Sequence, residues 1–373
     1  MTMRHHDRVI LNSTSPLWGG RRQPSRKARW RAGWGACVAS MLAFAVSCGG
    51  AFAAEHTLMP SPRTVHIGHF NATNRPVLTI NSGDIVTLEA ATQIEPEAVD
   101  ASGAVAPSVV PQYVRDVYRD VQDRGPGPHV LTGPIYINGA MPGDVLELRI
   151  LAVDLAVGYG YNRQRPFTGT LPDEFTQFWQ RVIPINRERK TAEIAPGVVI
   201  PLDRPFFGTM GVAPPAVMGR IGSGPPGVHT GNLDNKDLGA GSVLYMPVHV
   251  AGALFSAGDG HGAQGHGEVD LSAVETGLRG RFQFIVRKDM KLVWPRGETP
   301  THWIMMGLHE DLDEAMKIAV RETIAFITTR FPKLSREEAY AIASVSVDYH
   351  VTQVVDGTKG IHGMIPKAIF AGR

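Results

Sequence analysis

The segment Gly258-Asp259-Gly260-His261-Gly262-Ala263-Gln264-Gly265-His266-Gly267-Glu268 interleaves five glycines with two histidines and two carboxylates. Asp259 and His261 are two positions apart, so on an extended backbone their side chains leave from the same side. A carboxylate oxygen and an imidazole nitrogen together suit Zn²⁺ or a similar divalent ion. Glycine at this density disfavours a helix or a core strand. It predicts a loop whose backbone visits left-handed angles. The same residues also describe a mobile surface loop with exposed histidines, and residue types alone leave both readings open. Of the four polar groups, His266 reads as the bystander.

Other polar residues could converge on that loop. Asp234, in Gly231-Asn232-Leu233-Asp234-Asn235-Lys236, reads as a third ligand, a general base, or simply a turn or cap residue. Glu275 sits in apolar surroundings (Ser-Ala-Val-Glu-Thr), where a carboxylate is costly unless paired. Arg279 and Arg281 are its candidate partners. Glu298 and His302 flank Pro300 in a turn and read as structural. Asp348, His350 and His362 either join the site or satisfy one another. Asp84 and Asp144 follow glycine in the recurring turns Ser82-Gly83-Asp84 and Pro142-Gly143-Asp144. They read as turn residues whose carboxylates bind nearby N–H groups.

The elements that must position these groups are strands first and helices late. Thr64–Phe70, Pro76–Ile80, Asp84–Ala90, His129–Ile137, Val145–Val153, Glu193–Ile200, Val243–Val250 and Arg281–Val286 read as strands. Val109–Gln122 has helical spacing, with Val114, Val117, Tyr118 and Val121 on one face. Asp311 with Glu314 and Ser335 with Glu338 fit capping boxes. They open helices to about Arg330, stopped by Pro332, and to about Ser344, and a strand follows over Val345–Val354. A turn resembling the two above, Ala240-Gly241-Ser242, precedes a third strand. The expected class is α+β and β-rich. It comprises a jelly-roll-like β-sandwich portion (57–290) and a C-terminal α/β segment (291–373).

Hydrophobic residues make up 43% of the 373 positions and charged ones 19%, a globular composition. Residues 1–53 read as a leader and the remainder, 54–373, as one catalytic domain. A basic stretch (Arg21 to Arg31) and an apolar run (Ala36 to Val46) precede Ala51-Phe52-Ala53, the pattern of a secretory signal cleaved near Ala53 or Ala54. The apolar run is shorter than the roughly 20 residues a spanning helix needs. The expectation is therefore a periplasmic or secreted protein with no membrane span after cleavage. Residues 1–53 hold eight Lys or Arg and one Asp, so the rest carries 29 basic against 34 acidic residues, a net charge of −5. A mildly acidic chain gives no footprint for nucleic acid. Both cysteines, Cys37 and Cys48, fall in the leader. The mature chain therefore has no thiol nucleophile and no cysteine zinc site. No Ser–Lys nucleophile pattern is visible either.

GNLDNKDLGAGSVLYMPVHVAGALFSAGDGHGAQGHGEVDLSAVET (231–276) resembles the central block of the acetamidase/formamidase family. SREEAYAIASVSVDYHVTQVVDGTKGIHGMIPKAIF (335–370), TGPIYINGAMPGDVLELRI (132–150) and FFGTMGVAP (206–214) resemble further blocks in the same order. The resemblance implies a β-rich fold, a homo-oligomer, and hydrolysis of formamide- or acetamide-like linear amides. It carries over Asp234, Asp259, His261, Gln264 and Glu268 as site residues. On that reading Asp234, Asp259 and His261 hold a divalent ion, of which zinc is the best match. Glu268 moves the proton, Gln264 and loop N–H groups polarise the amide oxygen, and Glu275 orients a ligand from behind. The family usually has an acidic residue where this chain has Asn138. That departure, with export, favours a different amide, or a small-molecule- or metal-binding protein that keeps the fold without turnover.

Overall fold

Apolar and polar residues alternate in Leu278-Arg279-Gly280-Arg281-Phe282-Gln283-Phe284, the pattern of a strand with one buried face. In the computed structural model, which describes residues 53–372, this run lies within the strand Glu275–Arg287. That strand pairs antiparallel with Val145–Gln164, from Glu275 opposite Tyr161 to Arg287 opposite Val145. Its other edge carries Ile85–Ala90. Val145–Gln164 continues the sheet through Val243–Pro247 near its start and Trp179–Asn186 near its end. Phe255–His261 lies between Phe206–Gly211 and Val130–Ile137, then meets Glu275–Arg287 with His261 opposite Glu275. Among the described residues eighteen strands join in this way, nearly all antiparallel, with a two-stranded ribbon beside them.

Phe207, Phe255, Phe282 and Phe284 meet inside with ring centroids 5.1–6.5 Å apart. All four are shielded from water, and each contributes about 1.5–3 kcal/mol by burial. A second apolar cluster seats the helix Gln112–Asp120 through Val114 and Val117. The helices Leu312–Arg330 and Arg336–Ser346 cover a C-terminal cluster built on Trp303, Ile324, Ile327 and Phe370. Asp311 accepts from the Glu314 N–H, and Ser335 with Glu338 forms the reciprocal capping box. The fold is α+β and β-rich.

Asp84 and Asp144 occupy turns, as expected. Asp84 Oδ2 accepts from the Asn81 N–H at 2.8 Å, and Asp144 Oδ2 from the Met141 N–H at 2.9 Å. Other expectations need correction. Glu193–Ile200 is not one strand but the hairpin Thr191–Ala195 and Val198–Pro201, folded at Pro196-Gly197. Val145–Val153 runs on to Gln164 because a long partner strand lies beside it. The helix read from Val109 begins at Gln112, since a residue preceding proline avoids helical angles and Val110 is extended.

The largest correction concerns Gly258–Glu268. Its first four residues are not loop. They end the strand Phe255–His261, every residue of which is buried. Glycine is needed there for close approach. A Cβ at Gly258 would overlap the Val130 carbonyl oxygen, and one at Gly260 would overlap that of Thr276 and lie 2.7 Å from Leu278 Cγ. The expectation of left-handed backbone holds for residues within and after the strand. The leader reading rests on residues that lie outside the described ones. Among the described residues no helix is long and apolar enough to cross a membrane.

Candidate active site

His261 ends its strand facing inward at 1% exposure. Its Nδ1 is 2.7 Å from Gln264 Oε1, which fixes the ring. Nε2 then faces three carboxylates: Asp259 Oδ1 at 3.2 Å, Glu275 Oε1 at 3.4 Å and Asp234 Oδ1 at 3.8 Å. Among the described residues the ligand-type atoms converge in two groups that share His261, Asp259–His261–Glu275 and Asp234–His261–Glu268, and ligands about 2.0–2.1 Å from a tetrahedral ion stand about 3.3 Å apart.

Backbone geometry brings the acids in. Asp234, Asp259 and Glu268 have φ of 49°, 58° and 45°, left-handed values uncommon outside glycine. Strain of this kind persists only where surrounding contacts enforce it. For Asp234 those contacts include its N–H on the Gly208 carbonyl at 3.2 Å. Gly208 also opens the space between the acids. A Cβ there would overlap Asp234 Oδ1 and Asp259 Oδ2 and come 2.8 Å from His261 Cε1.

Burial and charge set the protonation of the cluster. Burial opposes ionisation of Asp259, but His261 and His129, with hydrogen bonds from His261 and Gln93, hold its carboxyl well below the usual range. Burial, then Glu268, Asp356 and Asp259, push Asp234 well above it. Glu268 is raised well above its ordinary value by burial and by Asp356, Glu275 and Asp259 against the pull of His261. Burial alone would depress His261, yet Glu275 and Asp259 hold it well above the ordinary histidine range.

Asp234, Asp259, Glu268 and Glu275 line a cleft of about 80 Å³. Asp234 Oδ1 and Glu275 Oε2 are buried there without hydrogen-bond partners among the described residues. These orphaned oxygens, the Gly208 opening and the mixed O/N donors fit a divalent ion.

The sequence profile of the acetamidase/formamidase family matches residues 111–222 and 219–372. This chain belongs to that family. An acetamidase of Mycolicibacterium smegmatis is 29% identical over 225 residues, 43% of this chain and 54% of the relative. A formamidase of Methylophilus methylotrophus is 30% identical over 191 residues, 38% of this chain and 47% of the relative. The chain thus spans about half the length of the curated relatives it matches. The crystal structure of an acetamidase from Bacillus halodurans superposes with a TM-score of 0.70 at 29% identity, over 84% of this chain and 98% of that one.

Within this family member, all five residues carried over from the sequence blocks stand in or against the cleft, and one of them, Gln264, together with Glu275, takes a place other than expected. Gln264 is not among the residues that line the cleft. Its Oε1 is engaged with His261 and its Nε2 donates to the Asp234 carbonyl at 2.9 Å. Glu275 does not pair with Arg279 or Arg281, which bind Glu89 and Glu55 instead. It stands on the Nε2 side of His261 with Asp259, not behind the ring. Asn138 is exposed and binds Asn81 at 2.9 Å, away from the cleft.

Several lining residues were not anticipated. Asp356, in the turn after Asp348–Gln353, reaches the cleft and is pushed up to about 6 by burial. Asn232 Nδ2 donates to both Asp234 at 2.6 Å and Asp356 at 3.2 Å. Gln93 and His129, which also line the cleft, both approach Asp259. Asp356-Gly357 reads as an ordinary hairpin turn, so no local signal marked it.

Proposed function

We propose that this chain hydrolyses the C–N bond of short linear amides, of the formamide or acetamide type, giving carboxylate and ammonia. The observation that carries the proposal is His261 Nε2 facing Asp259, Glu275 and Asp234 within a small buried cleft. A cleft of about 80 Å³ is far below the roughly 300–1,000 Å³ of sites for drug-sized ligands, and suits a substrate of a few heavy atoms.

In this reading His261 Nε2, Asp259 Oδ1 and Asp234 Oδ1 hold a divalent ion, zinc by its donor set, with Glu275 Oε1 beside them. Such an ion supplies Lewis acidity and lowers the pKa of water from about 15.7 toward about 7. Gln264 holds the ring so that Nε2 stays directed into the cleft. Glu268 accepts a proton from the attacking water at its carboxylate and returns it to the departing nitrogen, so that ammonia leaves as the C–N bond breaks. Asp356 is a second carboxyl able to exchange a proton near neutrality. Asn232 keeps Asp234 and Asp356 at fixed separation.

Export and assembly into a homo-oligomer belong to the same proposal. The basic and apolar runs before Ala53 support export, and the family resemblance supports assembly.

The test is ammonia release from formamide, acetamide and propionamide by purified protein. Glu268→Gln is expected to lower kcat about 10²- to 10⁴-fold with bound ion retained. A filled site that shifts the melting temperature with amide but releases no ammonia would establish a binding protein instead.

A further inference from the structure

A second group of ligand-type side chains, Asp237, His266 and His362, lies on the same segments that build the cleft. Asp237 follows Asp234 by three residues. His266 precedes Glu268 by two. His362 and His350 face each other across the strand pair whose connecting turn carries Asp356. His362 is fully buried, and its Nδ1 is 2.7 Å from Thr352 Oγ1, which directs Nε2 at Asp237 Oδ2, 3.2 Å away.

His266 supplies the independent observation. Its Nε2 lies 3.8 Å from the same Asp237 oxygen, beyond hydrogen-bond reach. Its ring makes no other polar contact among the described residues, and it stacks on His350 at 4.5 Å with 16° between planes. Two parallel imidazoles at that distance repel if both are charged, so the arrangement favours neutral rings with free lone pairs. The nitrogens of His266 and His362 and the oxygen of Asp237 lie within 4.8 Å of one another. Separations of 3.2 and 3.8 Å bracket the roughly 3.3 Å between ligands of a tetrahedral ion.

We propose that Asp237, His266 and His362 form a second divalent-cation site, of the zinc type, that ties together the three segments delivering Asp234, Glu268 and Asp356 to the cleft. Two imidazoles and one carboxylate prefer late first-row ions to magnesium or calcium. His266 is half-exposed, which leaves an entry path. Arg204 stands 3.6 Å from the other Asp237 oxygen and is itself largely exposed, so it can swing clear.

The test is Co²⁺ binding by the full chain, stripped with a chelator and free of any histidine tag, counted by equilibrium dialysis. Wild type is expected to bind one ion more per chain than His266→Ala. Asp237→Asn, isosteric and able to keep its contact with His362, is expected to weaken that same ion about 100-fold, and it decides the matter if His266→Ala does not fold. Asp259→Asn is expected to keep this ion, so an empty cleft and an empty second site give different counts. Equal stoichiometry and affinity in wild type and Asp237→Asn would overturn the proposal.

Discussion

The residues to which the proposed chemistry is assigned are held in left-handed backbone angles by the fold. Asp234, Asp259 and Glu268 each hold a left-handed backbone angle, and Gly208 leaves the gap between two of them. A single methyl group there should displace the acids. Gly208→Ala is expected to lower kcat/KM about 10²-fold, the effect of misplacing reacting groups by about 1 Å, while circular dichroism stays native. Activity equal to wild type would mean that the gap is not needed. A second residue-scale consequence concerns His229. It is buried, neither ring nitrogen has a hydrogen-bond partner among the described residues, and burial with nearby His249 lowers its pKa to about 4. Its folded value lies below the unfolded 6.5, so the stability it contributes is complete above pH 6.5 and lost as pH falls toward 4. From pH 7 to 5 His229→Gln is expected to gain about 2 kcal/mol relative to wild type, at about 1.4 kcal/mol per pH unit. Urea denaturation at both pH values checks this, and parallel shifts would contradict it. Asp259 and His261 were legible because a period of two puts neighbours on one side. Asp356, Gln93 and His129 were not, because only tertiary contact brings them near Asp259.

At the scale of elements, local chemistry announced the helices. Ser335 with Glu338 and Asp311 with Glu314 begin theirs where side-chain capping demanded. The strand Phe255–His261 was illegible for a physical reason. Glycine weakens an isolated strand, yet here it is the residue that lets neighbouring backbone approach. Gly258→Ala would set a Cβ against the Val130 carbonyl. It is expected to destabilise the fold by about 3 kcal/mol or more through overpacking, read as a lowered urea midpoint. An unchanged midpoint would show that the sheet can open at this strand. The same strand carries both Asp259 and His261, so the site inherits its rigidity from the core and not from a mobile loop.

Across the whole molecule, the β-rich α+β class followed from turn chemistry and strand patterning, and the described residues adopt it. What patterning could not give was the convergence of the 231–238 turn, the 262–268 turn and the turn at Asp356 on one cleft. Those contacts are set by long-range sheet pairing. The most direct test is ammonia release from formamide by chelator-treated protein as Zn²⁺ is restored, run beside Asp259→Asn. Activity is expected to return in step with the ion bound at the cleft, and Asp259→Asn is expected to recover neither. Full turnover by the stripped protein, or by Asp259→Asn, would contradict a site built on His261, Asp259 and Asp234.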